Sequence, residues 1–256
     1  MLRRFALTTI VCAAALAASA ATPGLSRAAD FPAKATYLFY IQGVPSGRSD
    51  IECTTERGAY IFRSTSILTN GQLADTLSCR TEFDQKTLRP RFFEYSGRLS
   101  GESASGTVTV QGDSAFSQTV RAGTPMAVRL KWTDPTLIFQ NFVPEHLIVV
   151  SRFLAASKVL AGRFTILFPA DMMFVPGAYE VSSEVELPTR PTPSICKKFG
   201  IAPQSSFPFY MYVEKKSSLP VYLEFPGVQA EMFLRSAFGD DPQPKFTRSA
   251  APPDER

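Results

Sequence analysis

The sequence predicts a mainly β protein, an antiparallel sandwich or barrel that carries a single α-helix. Short runs of β-branched and aromatic residues follow one another, with turn residues about every 8 to 12 positions. Only the stretch from residue 144 to residue 157 has the apolar spacing of an amphipathic helix. Hydrophobic residues make up 45% of the 256 residues, which is enough to fill a large core.

Residues 1–28 have the pattern of a secretory signal peptide. Arg3 and Arg4 precede an apolar run of about 14 residues. Two short segments of small residues, which end at Ala20 and at Ala28, are of the kind that a signal peptidase cleaves. The run is shorter than the roughly 20 residues that a membrane-spanning helix needs, and no later segment is long and apolar enough. We therefore expect cleavage after Ala20 or after Ala28. The mature protein is expected to be periplasmic or secreted, bacterial, and without a transmembrane span.

The charge of the mature chain argues against nucleic-acid binding. The full chain has a formal net charge of +4, and residues 1–28 hold three arginines and no acid. Cleavage after Ala28 leaves 24 basic against 23 acidic residues, a net charge of +1, and cleavage after Ala20 leaves +2. The remaining charges are interspersed, with no basic stripe, so we expect no nucleic-acid partner.

Strands follow one another through the first half of the mature chain. The first ends at a Gly-Val-Pro-Ser-Gly turn, and the dipeptide Asn70-Gly71 between two apolar runs is typical of a β-hairpin. The pattern predicts strands over residues 35–42, 48–55, 59–68, 76–83, 91–100, 105–111, 115–121 and 126–132.

The single predicted helix spans residues 144–157. Pro144 suits the first helical position, because its missing N–H is not needed there. Glu145 near the start suits the helix dipole, and Gly162 follows the end. The apolar stripe of this helix is wide, so we expect the helix to pack against the sheet.

Strands resume after the helix, and the chain is expected to end in a disordered tail. The pattern predicts strands over residues 163–168, 172–187, 209–214, 221–225 and 228–236. Residues 188–208 are rich in proline and are predicted to form a long loop. Residues from 239 onward have almost no apolar content. The sequence thus predicts about a dozen strands in one domain over residues 29–238, and a disordered tail over residues 239–256.

Three short motifs resemble a group of bacterial periplasmic families of unknown function. They are Tyr37-x-Phe39-Tyr40-x-x-Gly43-Val44-Pro45-x-Gly47, then Thr87-Leu88-Arg89-Pro90, and then the helix followed by Gly162-x-Phe164-x-Ile166-x-Phe168. The resemblance implies the half-open barrel of the outer-membrane lipoprotein-localisation proteins, in which a curved antiparallel sheet wraps one α-helix and an apolar cavity. Gln140-Asn141 stands where an Asp-Asn pair is expected, so no role of that Asp transfers. The resemblance implies no catalytic residue.

Three cysteines remain after the leader, and Cys53 and Cys79 are the candidate disulfide pair. Hairpin turns near Arg57 and at Asn70-Gly71 place these two cysteines at one level, two strands apart, which is about 9 to 10 Å. A disulfide usually needs Cα atoms within about 7 Å. Regular pairing therefore argues against the bond, whereas export and a β-bulge would favour it, and Cys196 in its loop could reach either partner.

The aromatic residues are the main candidates for a binding site. Aromatics recur on the predicted strands, where they either fill an ordinary β core or line a cavity for an apolar ligand. The segment that begins at Phe207 is dense enough in aromatics to line a mouth. The candidate cavity-lining residues are Tyr37, Phe39, Phe92, Trp132, Phe139, Phe164, Phe168, Phe209, Tyr210 and Tyr212.

Other residue patterns give no catalytic or metal site. His146 is the single histidine and is expected to be solvated or to act as a cap in the first helical turn. Glu180, Glu184 and Glu186 share a strand face, which is expected to be solvated. The cysteines and His146 have no zinc-like spacing, so we expect no metal and no cofactor.

The sequence thus leads to three hypotheses from different classes. The first is an exported, non-catalytic β half-barrel that binds an apolar or lipid-like ligand. The second is a cell-envelope scaffold or assembly protein with a filled core, which would use residues 188–208 and the tail to contact an envelope partner. The third is a hydrolytic enzyme, and we expect no enzyme because no acid, base and nucleophile can be assembled.

Overall fold

The structure, a computed structural model, describes residues 31–70, 73–140, 143–157, 159–204 and 207–246. The predicted leader over residues 1–28 and the tail from residue 247 lie outside the described residues.

In the residues that the structure describes, fifteen strands form a single sheet, more than the dozen predicted, and the protein is mainly β as expected. Two strands have no counterpart in the prediction: a strand of three residues, and a strand inside the Pro-rich stretch that carries two consecutive lysines. In chain order the strands are β1 (Lys34–Ile41), β2 (Val44–Glu56), β3 (Ala59–Asn70), β4 (Leu73–Asp84), β5 (Pro90–Leu99), β6 (Glu102–Gln111), β7 (Ser114–Arg121), β8 (Thr124–Lys131), β9 (Thr136–Ile138), β10 (Ala161–Phe168), β11 (Met173–Leu187), β12 (Ser194–Pro203), β13 (Phe209–Glu214), β14 (Pro220–Phe225) and β15 (Ala230–Leu234).

The order of the strands requires the sheet to curve. The sheet runs from β8 back to β1, continues with β15, and runs back to β9, so that β8 and β9 are its two edges. Fifteen strands at a spacing of about 4.8 Å would span about 67 Å if the sheet were flat. Only residues 132–135 join β8 to β9, and such a link reaches about 18 Å at most. The sheet therefore curls until its two edges approach each other.

The predicted helix is confirmed as α1 (Pro144–Ala156), and the topology explains its position. β9 and β10 are adjacent and parallel, so the sheet is mixed, where the sequence predicted antiparallel pairing throughout. Parallel neighbours need a crossover connection, and α1 supplies it. The helix contacts Ser64 of β3, Phe93 of β5 and Ser218 between β13 and β14. These strands lie far apart in the sheet, so α1 lies on the concave face and the sheet curves around it.

The Pro-rich stretch is not the long loop that the sequence predicted. It contains β12, which pairs with β11 and β13 over most of its length. Cys196 consequently lies in a strand and is fully buried, so it is not in a loop that could reach Cys53 or Cys79.

The end of the chain departs from the prediction in two ways. A second, four-residue helix, α2 (Arg235–Phe238), follows β15. Residues 239–246, which were predicted as part of a disordered tail, lie against the sheet, where the Lys245 and Phe246 amides donate to Glu231. The physical reason is that their backbone groups find carboxylate acceptors, which a hydropathy pattern does not show.

The candidate disulfide between Cys53 and Cys79 is not formed. Cys53 pairs with Phe62 of β3 and Cys79 pairs with Ser64 of the same strand, so β3 separates them at regular register. Two strand spacings are about 9 to 10 Å, and the two-residue offset along β3 adds to the separation. This is beyond the reach of a disulfide without backbone movement.

Candidate functional site

An apolar cavity of about 450 Å³ lies between the start of α1 and the concave face of the sheet. This volume is within the range of about 300 to 1,000 Å³ that small-molecule sites occupy. The residues that line the cavity are mostly aliphatic and aromatic, and they come from both halves of the sheet and from α1. They are Phe39, Tyr40, Ile41, Leu68, Phe139, Gln140, Val143, Leu147, Pro203, Phe207, Phe209, Phe225, Val228, Ala230, Glu231 and Met232.

Strand pairing explains why these residues meet. Phe39 lies opposite Met232, and Ile41 lies opposite Ala230, where β1 joins β15. Alternation along each strand puts these four side chains on the concave face. Residues near the two ends of the described part of the chain therefore form one wall, and Leu147 on α1 forms part of another.

The mouth of the cavity carries exposed apolar side chains. Phe207 is 60% exposed and Val228 is 50% exposed, although both line the cavity. The ring of Phe207 lies so close to Gly227 that a Cβ at that position would approach the ring to 2.6 Å. Glycine at residue 227 therefore allows the Phe207 ring to lie across the mouth.

Three of the predicted cavity residues line this cavity, namely Phe39, Phe139 and Phe209. The ring of Phe139 stacks on that of Phe209 at a centroid distance of 6.0 Å. Phe168 lies behind them and contacts Phe139 edge-on. Stacked aromatic rings hold a wall rigid, because each ring has few rotamers and many contacts.

Three other predicted residues are buried away from the cavity. Tyr37 is in the core, where its hydroxyl donates to the carbonyl of Pro220. Phe164 stacks on Tyr179. Trp132 donates its indole N–H to Asp134 and lies beside the edge of β8.

The remaining three predicted residues, Phe92, Tyr210 and Tyr212, point to the other face of the sheet. Phe92 alternates with the buried Phe93 and lies under the guanidinium of Arg80. Tyr210 and Tyr212 alternate with Phe209 and Met211, so they lie on the convex side. None of these three lines the cavity beside α1, because the sheet carries aromatics on both faces.

Sequence reasoning missed several lining residues. In the sequence, Leu147 and Val143 have the pattern of ordinary helix-packing residues, and Ala230 and Met232 have that of ordinary strand residues, although all four line the cavity. The pairing of β1 with β15 was the missing information, since it joins residues about 190 positions apart and leaves no local signal.

A second feature is a buried polar cluster in the first turn of α1. Glu145 and His146 are both fully buried, where the sequence predicted a solvated or capping histidine. The Ser64 hydroxyl donates to Oε1 of Glu145 over 2.7 Å, and Oε2 has no hydrogen-bond partner among the described residues. The helix dipole favours a carboxylate here, but burial outweighs it and raises the pKa of Glu145 to about 7.

The hydrogen bonds of His146 define its tautomer. The Gln140 backbone N–H donates to Nδ1 over 3.2 Å, so Nδ1 is an acceptor and the proton is on Nε2. Nε2 then donates to the Thr81 hydroxyl over 3.2 Å. Burial lowers the pKa of His146 to about 3, so the ring is neutral near pH 7. Phe83 and Phe93 contact the ring edge-on, which closes the cluster to solvent.

The predicted solvated carboxylates on β11 are exposed in the structure. Glu180, Glu184 and Glu186 all face solvent, and Glu184 forms an ion pair with Lys215. Among the described residues, no group of three or more His, Cys, Asp or Glu side chains is arranged to hold a metal ion. Neither helix in the described part of the chain has the length and apolarity needed to span a membrane.

Comparisons with known proteins add little to the geometry. No protein-family model matches the chain, and no curated protein matches it. The chain is similar to a solved β-barrel-like protein of a domain of unknown function, DUF1849, from Brucella abortus. That likeness has a TM-score of 0.46 and 10% identity, and it covers 78% of this chain and 94% of the other. At this level it assigns neither a family nor a function, and the resemblance to lipoprotein-localisation proteins stays a prediction.

Proposed function

We propose that this chain is an exported bacterial protein that binds an apolar, lipid-like ligand in the cavity beside α1, without catalysing a reaction. The observation that carries the proposal is the cavity itself. It has about 450 Å³ of space, an aromatic and aliphatic lining, and a mouth ringed by exposed Phe207 and Val228. The leader pattern over residues 1–28 supports the export part of the proposal.

The binding energy would come from removing apolar surface from water. Each CH₂ group that is buried contributes about 0.8 kcal/mol, which corresponds to about a fourfold gain in affinity. The lining is already formed by strands of one sheet, so little ordering entropy is lost on binding. An alkyl or acyl chain fits this chemistry better than a polar metabolite.

The polar groups at the cavity support binding without reaction. The Gln140 side-chain oxygen accepts the Ala170 backbone N–H. The Glu231 carboxylate accepts three hydrogen bonds from Tyr222, Lys245 and Phe246. Both groups are engaged in the fold, so neither is positioned as a nucleophile or as a general base toward a ligand.

The scaffold hypothesis has less support than the ligand hypothesis. Its proposed contact elements were a loop over residues 188–208 and a tail from residue 239. The first contains β12, and residues 239–246 of the second lie against the sheet. A filled core is also at odds with the cavity.

A fluorescent fatty acid tests the proposal. The polyene cis-parinaric acid increases its emission when it leaves water, so titration into the full chain reports occupancy. Ala230→Trp would place a large ring in the cavity, whereas Ala127→Trp makes the same change on the exposed edge strand β8. We expect saturable binding to the parent chain and to Ala127→Trp, and at least a tenfold loss in Ala230→Trp. Equal binding by both variants, or no binding to any of the three, would overturn the proposal.

A further inference from the structure

Two glutamates face each other across neighbouring strands at the convex face, and one of them, Glu231, also lines the cavity beside α1. Glu224 of β14 pairs with Glu231 of β15, and their exposed fractions are only 5% and 1%. Like charges directly opposite each other in a sheet are destabilising. Two carboxylates held this close therefore favour a partner that supplies positive charge and hydrogen-bond donors.

Two tyrosines hold these carboxylates in place. The Tyr222 hydroxyl donates to Oε1 of Glu231 over 2.5 Å, and the Tyr212 hydroxyl donates to Oε2 of Glu224 over 3.1 Å. The two rings pack against each other at a centroid distance of 4.9 Å. Each carboxylate thus keeps acceptor capacity for a further partner, in a geometry that the tyrosines fix.

A segment of the same chain occupies this site from outside the sheet. The Lys245 backbone N–H donates to Oε1 of Glu231 over 2.9 Å, and the Phe246 N–H donates to Oε2 over 3.1 Å. The Lys245 ammonium group donates to Oε1 of Glu224 over 3.0 Å, although the Lys245 side chain is 65% exposed. Three donors from two consecutive residues therefore satisfy both glutamates.

We propose that Glu224 and Glu231 form a peptide-binding site for an extended, lysine-containing segment, and that residues 242–246 of this chain are its tethered occupant. The recognised groups are two consecutive main-chain amides and one primary ammonium. The site would therefore recognise the main chain of a peptide and the positive charge of its lysine. Pro242 and Pro244 restrict the segment to extended conformations and lack N–H groups, so the first consecutive donors after them are those of Lys245 and Phe246.

The tether explains why the site is filled in the isolated chain. A segment joined to its site by a few residues has an effective concentration in the millimolar range. Only six residues separate Gly239 from Phe246, so the segment competes strongly with any peptide that is free in solution. Weakening the docked segment should therefore open the same site to a second peptide.

The test uses the full chain with the double substitution Lys245→Gln and Phe246→Pro, which removes the ammonium group and one amide donor. The probe is a dye-labelled peptide with the sequence of residues 241–246, blocked at both ends, and binding is followed by fluorescence anisotropy. We expect the double variant to bind this peptide at least tenfold more tightly than the parent chain does. A peptide with glutamine in place of the lysine is the matched control and should bind at least tenfold more weakly.

Two further outcomes decide whether the named carboxylates form the site. Adding Glu231→Gln to the double variant should abolish peptide binding, while the near-ultraviolet circular dichroism of the chain should be retained. In the parent background, Glu231→Gln should speed the hydrogen exchange of the Lys245 and Phe246 amides. Equal peptide binding by the parent and double variants would overturn the proposal, and so would exchange rates that do not change. Glu231 also lines the cavity, so the comparison of the parent chain with the double variant, which leaves Glu231 unchanged, separates this site from a ligand in the cavity.

Discussion

Ser64 on β3 and Glu145 on α1 are joined by a hydrogen bond of 2.7 Å at a point closed to solvent. This bond ties the helix to the half of the sheet that precedes the helix in the sequence. Because Oε2 of Glu145 has no hydrogen-bond partner among the described residues, the charged form is poorly compensated. Burial raises the pKa of Glu145 to about 7, and the fold therefore favours the protonated carboxyl.

Glu145→Gln should make the protein more stable at alkaline pH than the parent chain. The unfolded carboxyl ionises near its ordinary pKa of 4.5, whereas the folded one keeps its proton up to a pKa of about 7. The contribution of Glu145 to the free energy of unfolding is fully present below pH 4.5 and is lost as the pH rises to about 7. The loss is about 3 kcal/mol, and glutamine, which does not ionise, avoids it. Urea denaturation at pH 5 and pH 8 measures the difference, and no gain at pH 8 would contradict this account.

His146→Gln should remove a loss of stability at acid pH. Burial lowers the pKa of His146 from 6.5 to about 3, so the unfolded ring takes up a proton before the folded one does. The contribution of His146 to the free energy of unfolding is fully present above pH 6.5. It falls by about 5 kcal/mol as the pH is lowered toward about 3. Denaturation midpoints at pH 3.5 and pH 7 test the expectation. The substitution should lower stability at pH 7, because it disturbs the bonds to Gln140 and Thr81.

The effects of Glu145 and His146 on the pH dependence of stability should cancel between pH 4.5 and pH 6.5. In that window the folded chain holds a proton on Glu145 and the unfolded chain holds one on His146. Each single substitution should therefore reveal a slope of about 1.4 kcal/mol per pH unit, with opposite signs. Stability falls as pH rises when His146 is replaced, and it rises with pH when Glu145 is replaced. Two slopes of the same sign would show that other groups dominate.

Gly47→Ala should be far more destabilising than Gly58→Ala. Gly47 has φ +151, and a Cβ there would lie 2.0 Å from the carbonyl oxygen of Ile67 on β3. Gly58 also has a positive φ, +73, but no atom lies within 4 Å of its would-be Cβ. We expect about 1 to 2 kcal/mol for the control, from backbone strain alone, and more than about 4 kcal/mol for Gly47→Ala. Thermal unfolding of both variants gives the comparison, and equal costs would refute the close approach of β2 and β3.

The leader should be removed during export from a bacterial host. Cleavage after Ala20 or after Ala28 leaves a chain that begins at residue 21 or residue 29. Replacing Arg3 and Arg4 by glutamate should keep the uncleaved chain in the cytoplasm, because the positive start of the leader is lost. Intact mass of the periplasmic fraction identifies the cleavage site. An uncleaved chain in the membrane fraction would contradict the prediction.

Local patterns were enough to predict most strands and α1, because period-two alternation and turn residues mark each hairpin separately. They did not predict β12, since Pro191 and Pro193 precede it and Lys197 and Lys198 interrupt its apolar pattern. The parallel pairing of β9 with β10 was also missed, because a three-residue strand leaves almost no periodic signal.

The candidate site could be predicted only in part. Phe39, Phe139 and Phe209 line the cavity, but Tyr210 and Tyr212 do not. A half-exposed sheet would carry polar residues on its outer face, and here the part of that face formed by β1, β14 and β15 is covered by α2 and residues 239–246. Aromatic content thus identified buried strands without telling which face holds the cavity, and Glu145 and His146 gave no sign of burial.

Native mass spectrometry of the exported protein, purified from bacterial cells without detergent, tests whether the cavity beside α1 holds an apolar ligand. We expect the parent chain to carry adducts with the masses of lipids or acyl chains, or to take up one fatty acid per chain on incubation. Ala230→Trp should carry none, and Ala127→Trp should match the parent chain. A parent chain that is free of adducts and takes up no fatty acid would contradict the claim that the cavity beside α1 holds an apolar ligand.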